Sequence, residues 1–194
     1  TVFRWHAKAR VFDGASEVFA QTVGGGVISA SSSGLALALA LAVPGQPFRV
    51  GGPGDAPQGQ GMFETLTSGS SGQPRRIRRS MASWIASFHI NASLFGITPG
   101  CRVAVLGQLQ QSLALYGAVE AVHLGAEVHL LDGLRPDRQR AAIAARKVDL
   151  LYATPAQLRL LVEAGGAELP DLRLIVVGGS KLDGGLRAAL AAIT

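Results

Sequence analysis

Residues 103–131 open with Val103-Ala104-Val105-Leu106, run through Ser112 to His123, break at Gly125 and close with Glu127-Val128-His129-Leu130-Leu131. The outer pieces are short apolar runs and read as buried strands. The middle piece has the length and composition of a helix, and a glycine stops it. The same rhythm continues downstream: helix from Pro136 to Arg146, strand Val148-Asp149-Leu150-Leu151-Tyr152, helix from Pro155 to Glu163. A strand over Leu172 to Val177 and a helix from Leu186 to Ile193 complete it. Strands alternating with helices at this spacing predict parallel βαβ units, hence an α/β fold of mostly parallel sheet layers covered by helices. Ligands of such sheets sit beyond the carboxyl ends of the strands. The loops after Leu106, after Tyr152 and at Gly178-Gly179-Ser180-Lys181 are therefore the places to look.

Upstream the pattern is thinner. Residues 1 to 22 show no sustained period. Val27-Ile28-Ser29-Ala30 reads as a short buried strand, and Leu35 to Leu41 as a helix because alanine and leucine are strong helix formers. Gly51-Gly52-Pro53-Gly54-Asp55-Ala56-Pro57 is a breaker cluster and must be loop. Met62 to Leu66 is a strand, and Met81, Trp84, Ile85 and Phe88 fall at helical spacing behind Ser80 as N-cap.

Between these two elements lies Thr67-Ser68-Gly69-Ser70-Ser71-Gly72-Gln73-Pro74-Arg75. Glycines let the backbone turn tightly and approach a ligand; successive backbone N–H groups and hydroxyls make an anion-binding nest. Arg75 adds a planar fork of donors suited to phosphate oxygens. By composition alone a flexible Ser/Gly linker fits as well as a polyphosphate loop. The loop is not of the G-x-x-x-x-G-K-[ST] type, which the sequence lacks.

The chain has 194 residues, 48% of them hydrophobic and 16% charged, with a net charge of +5. That is a globular profile with enough chain for a substantial core. The basic balance suits nucleic acid, membrane surfaces or anionic small molecules. Cys101 is the single cysteine, so neither an internal disulfide nor a cysteine metal cluster is expected, and cytoplasm is the default compartment. Thr1-Val2-Phe3-Arg4-Trp5 does not have the form of a signal peptide, and Leu35 to Val43 is too short to span a bilayer.

The order of residues 67–75 resembles the T-S-G-[ST]-[ST]-G-x-P-[KR] signature of the AMP-forming adenylating enzymes: acyl- and aryl-CoA synthetases, luciferases and peptide-synthetase adenylation domains. Gly96 to Leu106 is similar to the family's G-[IL]-x-P-G-D-R-V stretch, with Cys101 in the acidic place. Tyr152 to Leu158 is similar to its V-P-x-x-L element, and Leu172 to Leu182 to its L-R-x-x-x-x-G-G-[AE]-x-L element. The resemblance covers about residues 62–186. It implies that 1–194 is a truncated N-terminal AMP-binding domain, with an N-terminal lobe over 1–61 and the phosphate-loop and acyl-pocket region over 62–194.

The resemblance implies a carboxylic acid:thiol ligase. A carboxylate attacks the α-phosphate of ATP, pyrophosphate leaves, and the acyl-adenylate passes to coenzyme A or an acyl carrier protein. Thr67, Ser68, Gly69, Ser70, Ser71 and Gly72 would hold the β- and γ-phosphates, and Arg75 would neutralise the leaving pyrophosphate in place of the usual lysine. Gly178, Gly179 and Ser180 would line the seam between adenosine and acyl group, although a strand-to-helix turn also needs glycine for conformation alone. Gln110, Ser112 and Thr154 would line the acid pocket, with Gln110 near the family's histidine or aromatic and Met81 replacing another histidine. Mg²⁺ would accompany ATP, with its ligands in the Y-G-x-[TS]-E region, which this sequence lacks along with the ribose aspartate and lid lysine. This stretch alone is therefore expected not to turn over. A non-catalytic nucleotide- or acyl-binding module of the same fold is the alternative.

Other chemistries find less support. His6, His89, His123 and His129 lack metal-ligand spacing, so no metal site is expected from them. No G-x-S-x-G elbow activates Ser71 or Ser180. Arg75-Arg76-Ile77-Arg78-Arg79 has the charge of a nucleic-acid patch, but aromatic residues near it are sparse. A solvated basic face with one functional arginine is the preferred reading, without nucleic-acid partners.

Overall fold

A computed structural model of the chain describes residues 1–67 and 75–194. Among them ten strands form two sheets, accompanied by six helices. The downstream rhythm holds: β7 (Arg102–Val105), α3 (Ser112–Leu124), β8 (Glu127–Leu130), α4 (Pro136–Ala145), β9 (Leu150–Ala153), α5 (Pro155–Glu163), β10 (Leu174–Val177) and α6 (Gly184–Ala191). Strands β10, β9, β7 and β8 lie side by side in parallel, and β1 (Arg10–Asp13) extends them, paired in parallel with β8 and antiparallel with β2 (Ser16–Val18).

The second sheet has the order β3 (Gly26–Ile28), β4 (Phe48–Val50), β5 (Met62–Thr67), β6 (Arg75–Ser80). Its first three strands are parallel, and β5 with β6 is an antiparallel hairpin in register from Met62↔Ser80 to Thr67↔Arg75. The arginine-rich run read as a solvated basic face is therefore a strand. Helix α1 (Ser33–Ala40) follows β3, and α2 (Met81–Phe95) follows β6, with Ser80 Oγ accepting from Ser83 N at 3.3 Å.

Helix α3 explains how the sheets combine. It is buried along almost its whole length, as a helix without a polar face must be. It lies on β7, β8 and β9 and also meets β5 of the second sheet. The main core joins Phe3, Phe48, Phe63, Trp84 and Phe88 with Val103, Leu115, Val119 and Tyr152. A second core on the far face of the six-stranded sheet takes Ile143 from α4, Leu158 and Leu161 from α5, and Leu186 and Leu190 from α6. Residues 1–61 supply strands to both sheets.

Further contacts fix the sheets relative to each other. Asp13, ending β1, accepts from Gly34 N at 2.7 Å, and Asp132, after β8, accepts from Ser33 Oγ at 3.0 Å, so carboxylates of one sheet hold the start of α1. Leu66 N donates to Gln110 O at 3.0 Å, and Leu66 bridges Gln111 in parallel. The end of β5 is thereby tied to the loop after β7.

Candidate functional site

The tie between Leu66 and Gln110–Gln111 brings the residues flanking the Ser/Gly loop to the carboxyl ends of β7, β9 and β10. A cavity of about 600 Å³ opens there. Leu66, Thr67 and Arg79 of the hairpin line one side, and Gly107, Gln108 and Gln111 of the β7 loop line another. Ser112, Leu113 and Ala114 of α3, Thr154 and Gln157 of α5, and Gly179 after β10 close it over Trp84, Tyr116 and Tyr152. Its walls are mostly apolar and aromatic with a few convergent amides and hydroxyls, the make-up of a small-molecule site.

The start of α3 has a particular electrostatic character. Gln111 is the N-cap but makes no side-chain cap bond. The first N–H groups of a thirteen-residue helix are thus left for whatever occupies the cavity, with the positive end of the helix dipole behind them. Ser112 Oγ and the amides of Gln108 and Gln111 add donors that carry no charge.

Under the cavity the polar ends of its aromatic floor are tied off. Ser87 Oγ shares a 2.7 Å hydrogen bond with Tyr116 Oη, and Asn91 Nδ2 donates to Tyr116 Oη at 3.0 Å and to Glu120 Oε1 at 2.9 Å. Tyr152 Oη donates to Glu120 Oε2. Burial is the main cause of the shifts here: it raises the Glu120 carboxyl above the usual carboxylate range and pushes the Tyr116 hydroxyl up to about 12. Burial raises Tyr152 too, helped by the adjacent Glu120 charge. The rings are consequently fixed, with their hydroxyls turned to protein rather than to ligand. Gly117 makes room for Tyr152: a Cβ there would lie 2.5 Å from the ring.

The residues expected from the sequence fall into separate groups. Ser68, Gly69, Ser70, Ser71 and Gly72 lie outside the described residues. Thr67 lines the cavity, and Arg75 sits opposite it across the hairpin, exposed. Ser112, Thr154 and Gly179 line the same cavity. Thr154 also caps α5: its Oγ1 accepts from Gln157 N at 3.3 Å while Gln157 Oε1 accepts from Thr154 N at 2.9 Å. Gly179 has φ of +92°, so conformation calls for glycine there. Gly178 backs onto Leu113, and Ser180 is exposed. Gln110 faces elsewhere. It lines a separate cavity of about 310 Å³ with Ser29 to Ser33, Gly51 and Asp132, and donates to Gln108 Oε1 at 2.7 Å.

Sequence reasoning missed Arg79, Gln111, Tyr116 and Tyr152 as lining residues and treated Trp84 as core alone. The signal for Tyr152 was present, since it opens the Tyr152-Ala153-Thr154-Pro155 element. His123 and His129 are packing groups. Both are buried, and burial foremost holds each imidazole down at about 4, with Arg4 beside the first and Arg146 beside the second. Cys101 is buried, its Sγ 3.3 Å from Thr98 N. Among the described residues no cluster of three His, Cys, Asp or Glu suits a metal ion, and no helix is long and apolar enough to cross a membrane.

A two-sheet α/β domain with a cavity over three aromatic rings at its strand ends has the make-up of a small-molecule-binding domain. The AMP-binding enzyme family model matches residues 54–194, and the chain belongs to that family. An uncharacterized acyl-CoA ligase of Bacillus subtilis (strain 168), YhfT, is 32% identical over 113 residues, covering 58% of this chain and 24% of that protein. The phenyloxazoline synthase MbtB of Mycobacterium sp. (strain MCS) is 29% identical over 120 residues, 60% of this chain and 10% of that protein. This chain's fold is shared with O-succinylbenzoate coenzyme A synthetase from Bacillus subtilis, solved in complex with ATP and magnesium ion. That match has a TM-score of 0.58 at 21% identity and covers 68% of this chain and 28% of that one. The chain thus spans a quarter or less of the length of these two curated relatives.

Proposed function

We propose that the chain forms the acid-binding cavity and the pyrophosphate-binding end of an active site that activates a carboxylic acid with ATP. The convergence of Thr67, the uncapped start of α3, Thr154 and Gly179 on one cavity carries this reading. The acid's body lies over Trp84, Tyr116 and Tyr152, and its carboxylate turns toward the N–H groups of α3 and the Ser112 hydroxyl. These orient the anion without protonating it, which keeps the oxygen nucleophilic. That oxygen attacks the α-phosphorus of ATP, the bond from that phosphorus to the oxygen bridging the β-phosphate breaks, and pyrophosphate departs with the charge. Thr67 through Gly72 hold the β- and γ-phosphates, and Arg75 neutralises the charge that develops on the leaving group.

The acyl-adenylate then passes to a thiol, that of coenzyme A or of a carrier-protein phosphopantetheine, with release of AMP. Kinship to an acyl-CoA ligase and to a phenyloxazoline synthase supports an acid substrate. Magnesium would accompany the nucleotide and screen its phosphates. No carboxylate lines the cavity, so the described residues fit the acid and do not supply acidic ligands for the metal.

Carboxylate-dependent ATP–pyrophosphate exchange tests the assignment in the protein that carries this chain. Arg75→Ala and Ser70→Ala should each lower exchange by about 10²-fold, the usual scale for losing one stabilising donor. Wild-type exchange in both variants would sink the phosphate-loop roles.

A further inference from the structure

Arg79 is the one ionised side chain among the described residues that line the cavity, and nothing in the reaction above uses it. It belongs to a run of four arginines that the hairpin sorts between two faces. Arg76 pairs with Glu64 and donates to Pro53 O, and Arg78 donates to Gln58 O at 2.8 Å, so these two brace the preceding loop. Arg75, Ile77 and Arg79 alternate onto the other face, opposite Thr67, Thr65 and Phe63. Phe63 meets Trp84 edge-on at 4.5 Å, which places the Arg79 backbone beside the aromatic end of the cavity.

The two anion-attracting ends of the cavity are therefore separated. Gln111, at the start of α3, sits level with Leu66, whereas Arg79 sits level with Phe63. Three strand residues amount to ~10 Å. The rings of Trp84 and Tyr116, 5.0 Å apart, line the same cavity. A carboxylate held at α3 leaves the far end of its molecule toward Arg79, an exposed residue and the one charged member of a wall that otherwise offers only apolar and uncharged groups.

We propose that Arg79 is a specificity-determining residue and that the preferred acid carries a second anionic group across an aromatic or similarly flat body, an aryl dicarboxylate in the simplest case. The inference rests on the acid-activating reading for the direction in which the substrate lies. Guanidinium meets carboxylate in a bidentate, charge-assisted pair, so the second group would be recognised by geometry as well as by charge.

The test compares 3-phenylpropionate with 3-(4-carboxyphenyl)propionate, which differ only in the second carboxylate. Each is titrated into wild-type protein and into Arg79→Gln and Arg79→Lys, with tryptophan fluorescence as readout because Trp84 lines the site. Wild type should bind the diacid about tenfold more tightly than the monoacid, the scale of one charge-assisted hydrogen bond. Arg79→Gln should bring the two affinities together by weakening the diacid alone, and Arg79→Lys should restore part of the difference. Equal binding of the two acids by wild type, or a diacid preference that survives Arg79→Gln, overturns the proposal. So does binding of neither acid by a protein that still binds ATP, and that result would leave the phosphate-loop reading standing. Discrimination between the acids without ATP binding would instead uphold Arg79 and defeat the ATP reading.

Discussion

At the residue scale, the site depends on groups whose importance lies in what they leave room for. Gly117 sits in the middle of α3, where glycine is normally unfavourable, and Tyr152 occupies the space its side chain would take. Gly117→Ala should therefore destabilise by ~2 kcal/mol despite the better helix former, lowering the thermal midpoint by roughly 4–8 °C, because the ring must move against a packed core. A midpoint raised by the substitution would mean that Tyr152 repacks freely. Reading the sequence selects Thr67, Ser112, Thr154 and Gly179, which line one cavity, because hydroxyls and glycines at loop positions carry a chemical signal. It singles out Gln110 among the Gln108–Ser112 donors, yet the Gln110 side chain bonds Gln108 and lines the separate cavity, while Gln111 next to it lines this one. In an irregular loop, adjacent side chains diverge, and no periodicity says which one faces the ligand.

At the element scale, the hairpin β5–β6 and the glycine-rich segment before it are held by Arg49. This guanidinium is fully buried, bonds Glu64 at 2.6 Å and donates to the carbonyls of Gly51, Pro53, Gly54 and Asp55. All five of its N–H groups find acceptors, which is the condition for keeping a charge inside. Arg49→Met should cost ~3–5 kcal/mol in denaturant unfolding, because it strands Glu64 and several loop carbonyls. Adding Glu64→Gln should recover part of that loss; strict additivity would show that the pair is not coupled. From the sequence, the breaker cluster 51–57 is legible as loop but not as an ordered one. The reason is that its order comes from a single arginine in β4, whose type alone suggests exposure. The boundaries of α5 agree between sequence and structure because the Thr154–Gln157 capping box is a local signal.

At the scale of the whole molecule, titration couples the cores to pH. His123 and His129 are held neutral at about 4 in the native state, against about 6.5 when exposed, so the unfolded chain binds more protons between those values. Their stabilisation is present above about pH 6.5 and is lost as pH falls toward 4, up to ~3 kcal/mol for each. Glu120 and Asp132 act in the opposite sense: burial raises both, so their contribution is present at low pH and lost as pH rises through their native values. The thermal midpoint should fall between pH 6.5 and 4, and His123→Gln and His129→Gln should each flatten the curve; an unchanged slope in both would count against their burial as its cause. The sequence by itself determined the α/β class, the order of helices and strands from Arg102 onward, and the hydroxyl- and glycine-bearing turns at the strand ends. These are local properties, set by periodicity, capping and turn chemistry over a few residues. Only the tertiary structure decided that the strands divide into two sheets, that residues 10–18 join the six-stranded one, and that Arg79 shares a cavity with Ser112, Thr154 and Gly179. Such pairings join residues as far apart as Arg10 and Glu127. They are selected by which apolar faces can be buried together, a property of the packed chain that no short stretch of it carries.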